Sequence, residues 1–301
     1  MATAEQRVAI VTDLPSRELH TRFPDLLVTD PFINTPEGLS RHDSTLTSQL
    51  VVDELLSGIQ LSTAAPGVGE IATLYEQALL NAGITDVLHV SVGTKLSTGY
   101  GNAIYIAQQE FFERAHHFDS ETVFDGTGIM AGHALELARK GLGVEEILFE
   151  LKAMQQRIVV FAYLDSPEFA GRGGRVEKEI ITKFLARAGG KGIVEMDNNI
   201  GRSRGIAMTR KNGLARLVEA VEDVRGGRLI ERVVLTSTPI GTNTGEKERR
   251  VNLSQEIDEI YDNLSGKDSN TQRENVTITP TLSVHLGPQA QGVVVLFERQ
   301  K

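Results

Sequence analysis

A chain of 301 residues with 40 acidic and 31 basic side chains carries a formal charge of −9, and its Lys and Arg residues are scattered among acids rather than gathered into a stripe. Nucleic acid is therefore not an expected partner. The length allows one large domain or two smaller ones with room for a cavity, and the absence of cysteine removes disulfide frameworks and thiol chemistry.

The opening MATAEQRVAIVTD has neither a basic leader nor an apolar signal core, so a cytoplasmic protein is expected. The longest apolar run, Ile158 to Leu164, is far short of the ~20 residues of a membrane helix. Short β-branched runs, VAIVTD near residue 10, VLHVSV near 90 and TVFD near 123, alternate with helical periodicity over 45–57, 67–82, 98–115, 128–140 and 144–156. That alternation predicts an N-terminal α/β domain, residues 1–156, with a parallel sheet layered by helices. After the strand-like RIVVFAYL the pattern changes: helical stretches near 176–187, 212–224 and 254–264 precede two late strand candidates, VTITPTLSVHL and GVVVLF. This predicts a second domain of α+β character, residues 157–301. The segment 265–275, SGKDSNTQREN, reads as a polar surface loop.

Three segments carry a strand into a helix start: IQLSTAAPGVGE, HVSVGTKLSTGYGNA and VFDGTGIMAGHA. The first N–H groups of a helix lack partners inside it and its dipole favours negative charge, so such an end accepts an anion. In parallel sheets ligands lie outside the carboxyl ends of the strands, where all three segments are expected. Thr63, Thr94, Ser97 and Thr127, with Gly126 and Gly128, supply hydroxyls and open backbone there. Taken singly, each hydroxyl reads first as a structural N-cap, and it is their gathering at one sheet edge that points to a ligand. Gly126-Thr127-Gly128-Ile129-Met130-Ala131 also satisfies G-x-G-x-x-A, the basis of a rival reading as a dinucleotide-dependent enzyme. The second strand ending in an acid that the fingerprint expects ~20 residues on is replaced by the helical GVEEILFELKAMQ.

His116 and His117 at an expected helix end point to different faces, which argues against a metal site. Glu145 and Glu146 follow Gly143, where acids complement a helix N-terminus. His133 reads as a core or surface histidine. His285, expected at a strand end beside Gly287-Pro288, is a candidate donor to a carboxylate or simply a histidine satisfied by backbone. GRGGRV offers Arg172 and Arg175 as surface charges or as anion forks.

At these residues the chain resembles the DegV family of bacterial fatty-acid-binding proteins. VAIVTD resembles that family's first strand with its terminal aspartate, here Asp13. STAAPG stands for a Thr-Ser-Gln-Pro turn, matching Thr63 and Pro66. SVGTKLSTGYGNA resembles the Ser-Ser-x-Leu-Ser-Gly-Thr-Tyr signature, matching Thr94, Leu96, Ser97 and Tyr100. FDGTGIMAGHALELARKGLGVEEI, GRGGRV and SVHLGPQAQGV follow in the family's order.

The resemblance implies a two-domain, non-catalytic lipid carrier with its ligand between the domains. The acid would be held by Thr63, Thr94, Ser97 and His285, with Gly126, Thr127 and Arg175 near the head group or a partner. A partner fatty acid kinase would convert the bound carboxylate to an acyl phosphate for phospholipid metabolism. No cofactor and no metal are implied. The chain departs from the pattern at Gly93-Thr94, at Thr98-Gly99, at Ala64-Ala65 and through 176–250, leaving a carrier for another small anion as a further alternative.

Overall fold

The computed structural model describes residues 6–172, 176, 178–186, 189–197, 200–242, 247–265 and 270–299. In chain order the first half forms β1 (Val8–Asp13), α1 (Arg17–Arg22), β2 (Leu27–Thr29), β3 (Phe32–Asn34), β4 (Ser40–His42), α2 (Ser48–Leu56), β5 (Ser62–Ala64), α3 (Val68–Leu79), β6 (Asp86–Ser91), α4 (Thr98–Glu110), β7 (Ala115–Asp119), α5 (Asp125–Arg139) and α6 (Val144–Gln155). The second half forms β8 (Ile158–Leu164), α7 (Pro167–Arg172), α8 (Lys178–Leu185), β9 (Lys191–Asp197), β10 (Ile200–Ala207), α9 (Arg210–Arg225), β11 (Ile230–Ser237), α10 (Lys247–Ser265), β12 (Gln272–Thr277), α11 (Pro280–Leu286) and β13 (Gln291–Phe297). These group into two compact units, Met1–Phe32 with Ala64–Gln156, and Ile33–Thr63 with Arg157–Lys301. Unlike two contiguous halves, this division sends the excursion 33–63 to the second unit.

In the first unit a four-stranded parallel sheet has the order β2-β1-β6-β7. All six residues of β1 are buried, as a central strand covered on both faces requires. The chain leaves β1 towards β2 on one side and returns as β6 on the other. The point where strand order reverses thus lies between the carboxyl ends of β1 and β6, the place where open α/β sheets take ligands. Helix α5 is buried along most of its length because Gly128 meets Leu19 and Gly132 meets the Phe23 ring, so α1 lies close against it.

The TVFD segment is not a strand. The last strand is Ala115–Asp119, registered from Val87↔Ala115 to Ser91↔Asp119, and Phe124 adopts φ 57° where the chain turns into α5. His116 and His117 therefore lie in a strand rather than at a helix end. Their opposite faces are both satisfied: His116 Nε2 lies 3.0 Å from Asp86 Oδ1 and His117 Nε2 lies 2.7 Å from Ser91 Oγ. No group of three or more potential metal ligands occurs among the described residues.

The second unit carries a six-stranded sheet ordered β10-β9-β8-β13-β11-β12, antiparallel throughout except for the β11–β12 pair. Phe161, Tyr163, Leu217, Leu235, Ile260 and Val293 belong to its main apolar cluster, which packs α9 and α10 on the sheet. The excursion belongs here because Ile33, Leu46, Val51 and Leu55 form a second cluster with Phe169 and Val284. Three expectations are corrected. VTITPTLSVHL is strand β12 followed by helix α11, because Pro280 sits at the helix start and has no N–H to give a sheet. The expected polar loop 265–275 runs into β12, an edge strand whose polar residues suit its place; residues 266–269 lie outside the described residues. Finally, β5 pairs in a three-stranded sheet ordered β4-β3-β5, so Thr63 does not lie at the carboxyl edge of the parallel sheet.

A methyl group added at Gly213 of α9 would lie 2.2 Å from the Tyr163 ring, whereas one at Gly69 of α3 would meet nothing within 4 Å. Gly213→Ala is accordingly expected to lower stability by about 1–3 kcal/mol through overpacking. Gly69→Ala should raise it by up to about 1 kcal/mol through helix propensity; thermal or urea denaturation of the two variants measures both.

Candidate functional site

The β6–α4 loop lies at the point of strand-order reversal, and a buried carboxylate fixes its start. Asp13, at the end of β1, accepts from Val92 N at 3.1 Å through Oδ2, and from Thr29 Oγ1 at 2.7 Å through Oδ1. Asp13 Oδ1 also lies 3.0 Å from His89 Nε2. A carboxylate only accepts, so Nε2 of His89 carries a hydrogen, and its Nδ1 lies 2.8 Å from the Tyr75 hydroxyl. Both side chains of the Asp13–His89 pair are wholly buried, and burial together with the Asp13 charge pushes the Tyr75 hydroxyl above its usual range. Tyr75 therefore keeps its proton. Sequence patterning alone did not single out Tyr75 or His89; the available signal was a histidine inside the apolar run VLHVSV.

From Val92 the loop closes on itself. Gly93 N donates to Thr122 O, and Leu96 N and Ser97 N donate to Gly93 O. Ser97 is the N-cap of α4, yet its hydroxyl makes no cap bond. It remains a donor at the helix start. The Thr94 hydroxyl donates to Asp119 Oδ2 at 2.5 Å, and Thr94 N reaches Oδ1 and Oδ2 of the same carboxylate at 3.2 and 3.3 Å. Gly101 leaves room for this arrangement, since a Cβ there would lie 3.1 Å from Thr94 Cβ.

In the second unit, two residues singled out 222 positions apart meet: Thr63 Oγ1 lies 2.9 Å from His285 Nε2. His285 is in the last turn of α11, not at a strand end. Thr281, one helical turn earlier and therefore on the same face, is buried, and its hydroxyl has no hydrogen-bond partner among the described residues. The Thr63–His285 bond can run in either direction. When Nε2–H donates, the Thr63 hydrogen is left for an acceptor such as a carboxylate.

Gly126 and Thr127 lie within the buried first turn of α5. Thr127 Oγ1 is 3.0 Å from Ser120 Oγ, and a Cβ at Gly126 would lie 2.6 Å from Thr122 Oγ1. With Gly128 packed on Leu19, these glycines serve close packing of side chains, which removes the open backbone that a dinucleotide pyrophosphate needs. Arg172 is exposed, its guanidinium 5.0 Å from the Phe169 ring centre. Arg175 lies outside the described residues. Glu146 Oε2 accepts from Gly143 N at 2.9 Å, the structural role expected of the acids at the start of α6. His133 is part-exposed, 4.0 Å from Glu136.

Beneath the loop, burial first and His89 second hold the His117 imidazolium pKa down to about 4, with Asp119 and Asp13 pulling the other way. The unfolded chain takes up this proton near pH ~6.5 and the folded one only near 4. Stability is therefore full above about pH 6.5 and falls as pH drops towards 4, by up to roughly 3 kcal/mol. His117→Gln should flatten that part of the stability profile, read by denaturation at about pH 7.5 and about pH 5.

The chain matches, over residues 37–298, the profile of the DegV family, described as uncharacterised proteins. A DegV domain-containing protein of Deinococcus radiodurans is 29% identical over 302 residues, covering 96% of this chain and 98% of its own. Among solved structures, a fatty-acid-binding DegV family protein from Thermus thermophilus superposes with a TM-score of 0.83 at 21% identity, over 97% of this chain and 100% of its own. A stearic acid-binding protein from Eubacterium ventriosum does so at 0.78 and 18%, over 96% and 98%. The α/β architecture described above is thus that of known DegV structures. The chain belongs to the DegV family.

Proposed function

We propose that this protein is a non-catalytic carrier that binds a long-chain fatty acid, with the Thr63–His285 pair recognising its carboxylate. The observation that carries the reading is the 2.9 Å contact between those two side chains. A carboxylate moved out of water is strongly disfavoured unless several donors meet it, and a hydroxyl backed by an imidazole is such a donor. Relatives of the same fold that bind fatty acids, the Thermus thermophilus and Eubacterium ventriosum proteins, support the choice of ligand.

The acyl tail supplies the affinity. Burying ~14 methylenes at roughly 0.8 kcal/mol each gives on the order of 11 kcal/mol before association costs. The head group then contributes orientation. We further propose that the carrier works in the cytoplasm and presents the acid to a fatty acid kinase, which makes the acyl phosphate, with Arg175 near the contact. Phosphoryl transfer asks of a carrier only that the acceptor oxygen be held in line, which fits a site built from hydrogen-bond donors.

Lipid extracted from protein purified without added ligand is expected to contain a long-chain fatty acid by mass spectrometry. Thr63→Val and His285→Ala should each weaken palmitate binding by about 10- to 100-fold, the loss of a charge-assisted hydrogen bond. Unchanged affinity in both variants would place the carboxylate elsewhere.

A further inference from the structure

A buried hydroxyl stands beside the Thr63–His285 pair without a use in the fold. Thr281 precedes His285 by four residues on α11, so the two side chains share a face with Cβ atoms about 5–6 Å apart. A threonine inside a helix ordinarily turns its hydroxyl back to a carbonyl three or four residues earlier. Ser283 does this, donating to Thr279 O at 2.9 Å. Thr281 does not, and the Ile278 carbonyl three residues before it receives the Ser48 hydroxyl instead. The Thr281 amide is committed to Asp43 Oδ1 at 2.5 Å. The Thr281 hydroxyl is thus left over in a residue only 5% exposed, with no hydrogen-bond partner among the described residues. Buried polar atoms are almost always paired, and one left over beside a ligand-binding pair marks a place for a polar group of the ligand.

Depth sets the order in which a ligand meets these groups. Thr63 and His285 are half-buried and Thr281 is buried, so a ligand whose carboxylate stops at the pair carries its next carbons inwards, along the face that holds Thr281. All three residues belong to the second unit. An unsubstituted acyl chain would leave the Thr281 hydroxyl unpaired, and a second carboxylate would need several donors where Thr281 supplies one. A single hydroxyl on the ligand matches it, since both groups donate and accept. The separation along the helix face is a few carbon–carbon bonds of about 1.5 Å each, which puts that hydroxyl on the second or third carbon. We propose that the protein prefers an acyl ligand hydroxylated next to its carboxylate, a 2- or 3-hydroxy acid, and that Thr281 is the residue that selects it. The proposal rests on the reading that Thr63 and His285 receive the carboxylate.

The test titrates dodecanoate, 2-hydroxydodecanoate and 3-hydroxydodecanoate calorimetrically, at about pH 8, into the native chain, Thr281→Val and Thr281→Ser. The native chain is expected to bind one of the two hydroxy acids about tenfold more tightly than dodecanoate, the worth of one hydrogen bond. Thr281→Val keeps the shape of the side chain and should abolish that preference while leaving dodecanoate bound as tightly as before; Thr281→Ser, which restores the hydroxyl, should keep it. A threonine with a purely structural role would not move this ratio. If Thr281→Val does not fold, Thr281→Ala takes its place. Equal affinity of the native chain for all three acids, the result expected where water alone completes Thr281, overturns the proposal and leaves the carrier reading standing, as does a preference that survives Thr281→Val. Failure of the native chain to bind any of the three overturns both.

Discussion

The first unit is organised around one buried carboxylate. Asp13 ends a strand covered on both faces and has no water to turn to, so its charge is tolerated only because Thr29, His89 and Val92 N all reach it. Each of those bonds has a structural effect. Thr29 ties β2 to β1, His89 ties β6 to β1, and the Val92 amide fixes the direction in which the chain leaves β6. Removing one partner from such a set costs more than the bond itself, because the charge left behind is uncompensated. The network is completed by Tyr75 from α3, which makes the packing of that helix part of the same arrangement.

From that anchor the loop at the strand-order reversal follows. Its backbone is held by Gly93, Thr122 and Asp119, its helix start by the Ser97 carbonyl, which accepts from Gly101 N, and its hydroxyl at Thr94 by Asp119. The second unit solves a different problem: a short excursion of chain, 33–63, is held by an apolar cluster and delivers Thr63 to His285. Among the described residues no group of three or more potential metal ligands occurs. Also among them, no helix is long and apolar enough to cross a membrane. What the two units share is the supply of hydroxyl and imidazole groups at fixed positions.

Much of the first unit was legible because its signals are local. VAIVTD and VLHVSV are continuous β-branched runs, and the helices between them carry regular periodicity. Reading failed where a long-range partner decides the outcome. AHHFD looks unlike a strand until Ser91 and Asp86 are set opposite its histidines, and β9, β10 and β11 were not anticipated in the stretch where the family pattern is weakest. Thr63 and His285 were identifiable as candidates by motif, yet their contact spans 222 residues and no spacing rule reports it. Asp119 was invisible as a determinant of Thr94 for the same reason. The glycines at 126 and 128 taught the converse: a motif written for phosphate approach is met here by helix packing on Thr122 and Leu19.

The central claim is that the Thr63–His285 pair receives a fatty acid carboxylate. A crystal structure of the chain with bound palmitate tests it most directly. The account predicts a carboxylate oxygen within hydrogen-bond distance of Thr63 Oγ1 or His285 Nε2, with the acyl chain buried. A palmitate whose carboxylate lies away from both, or that stays exposed to solvent along its length, would contradict it.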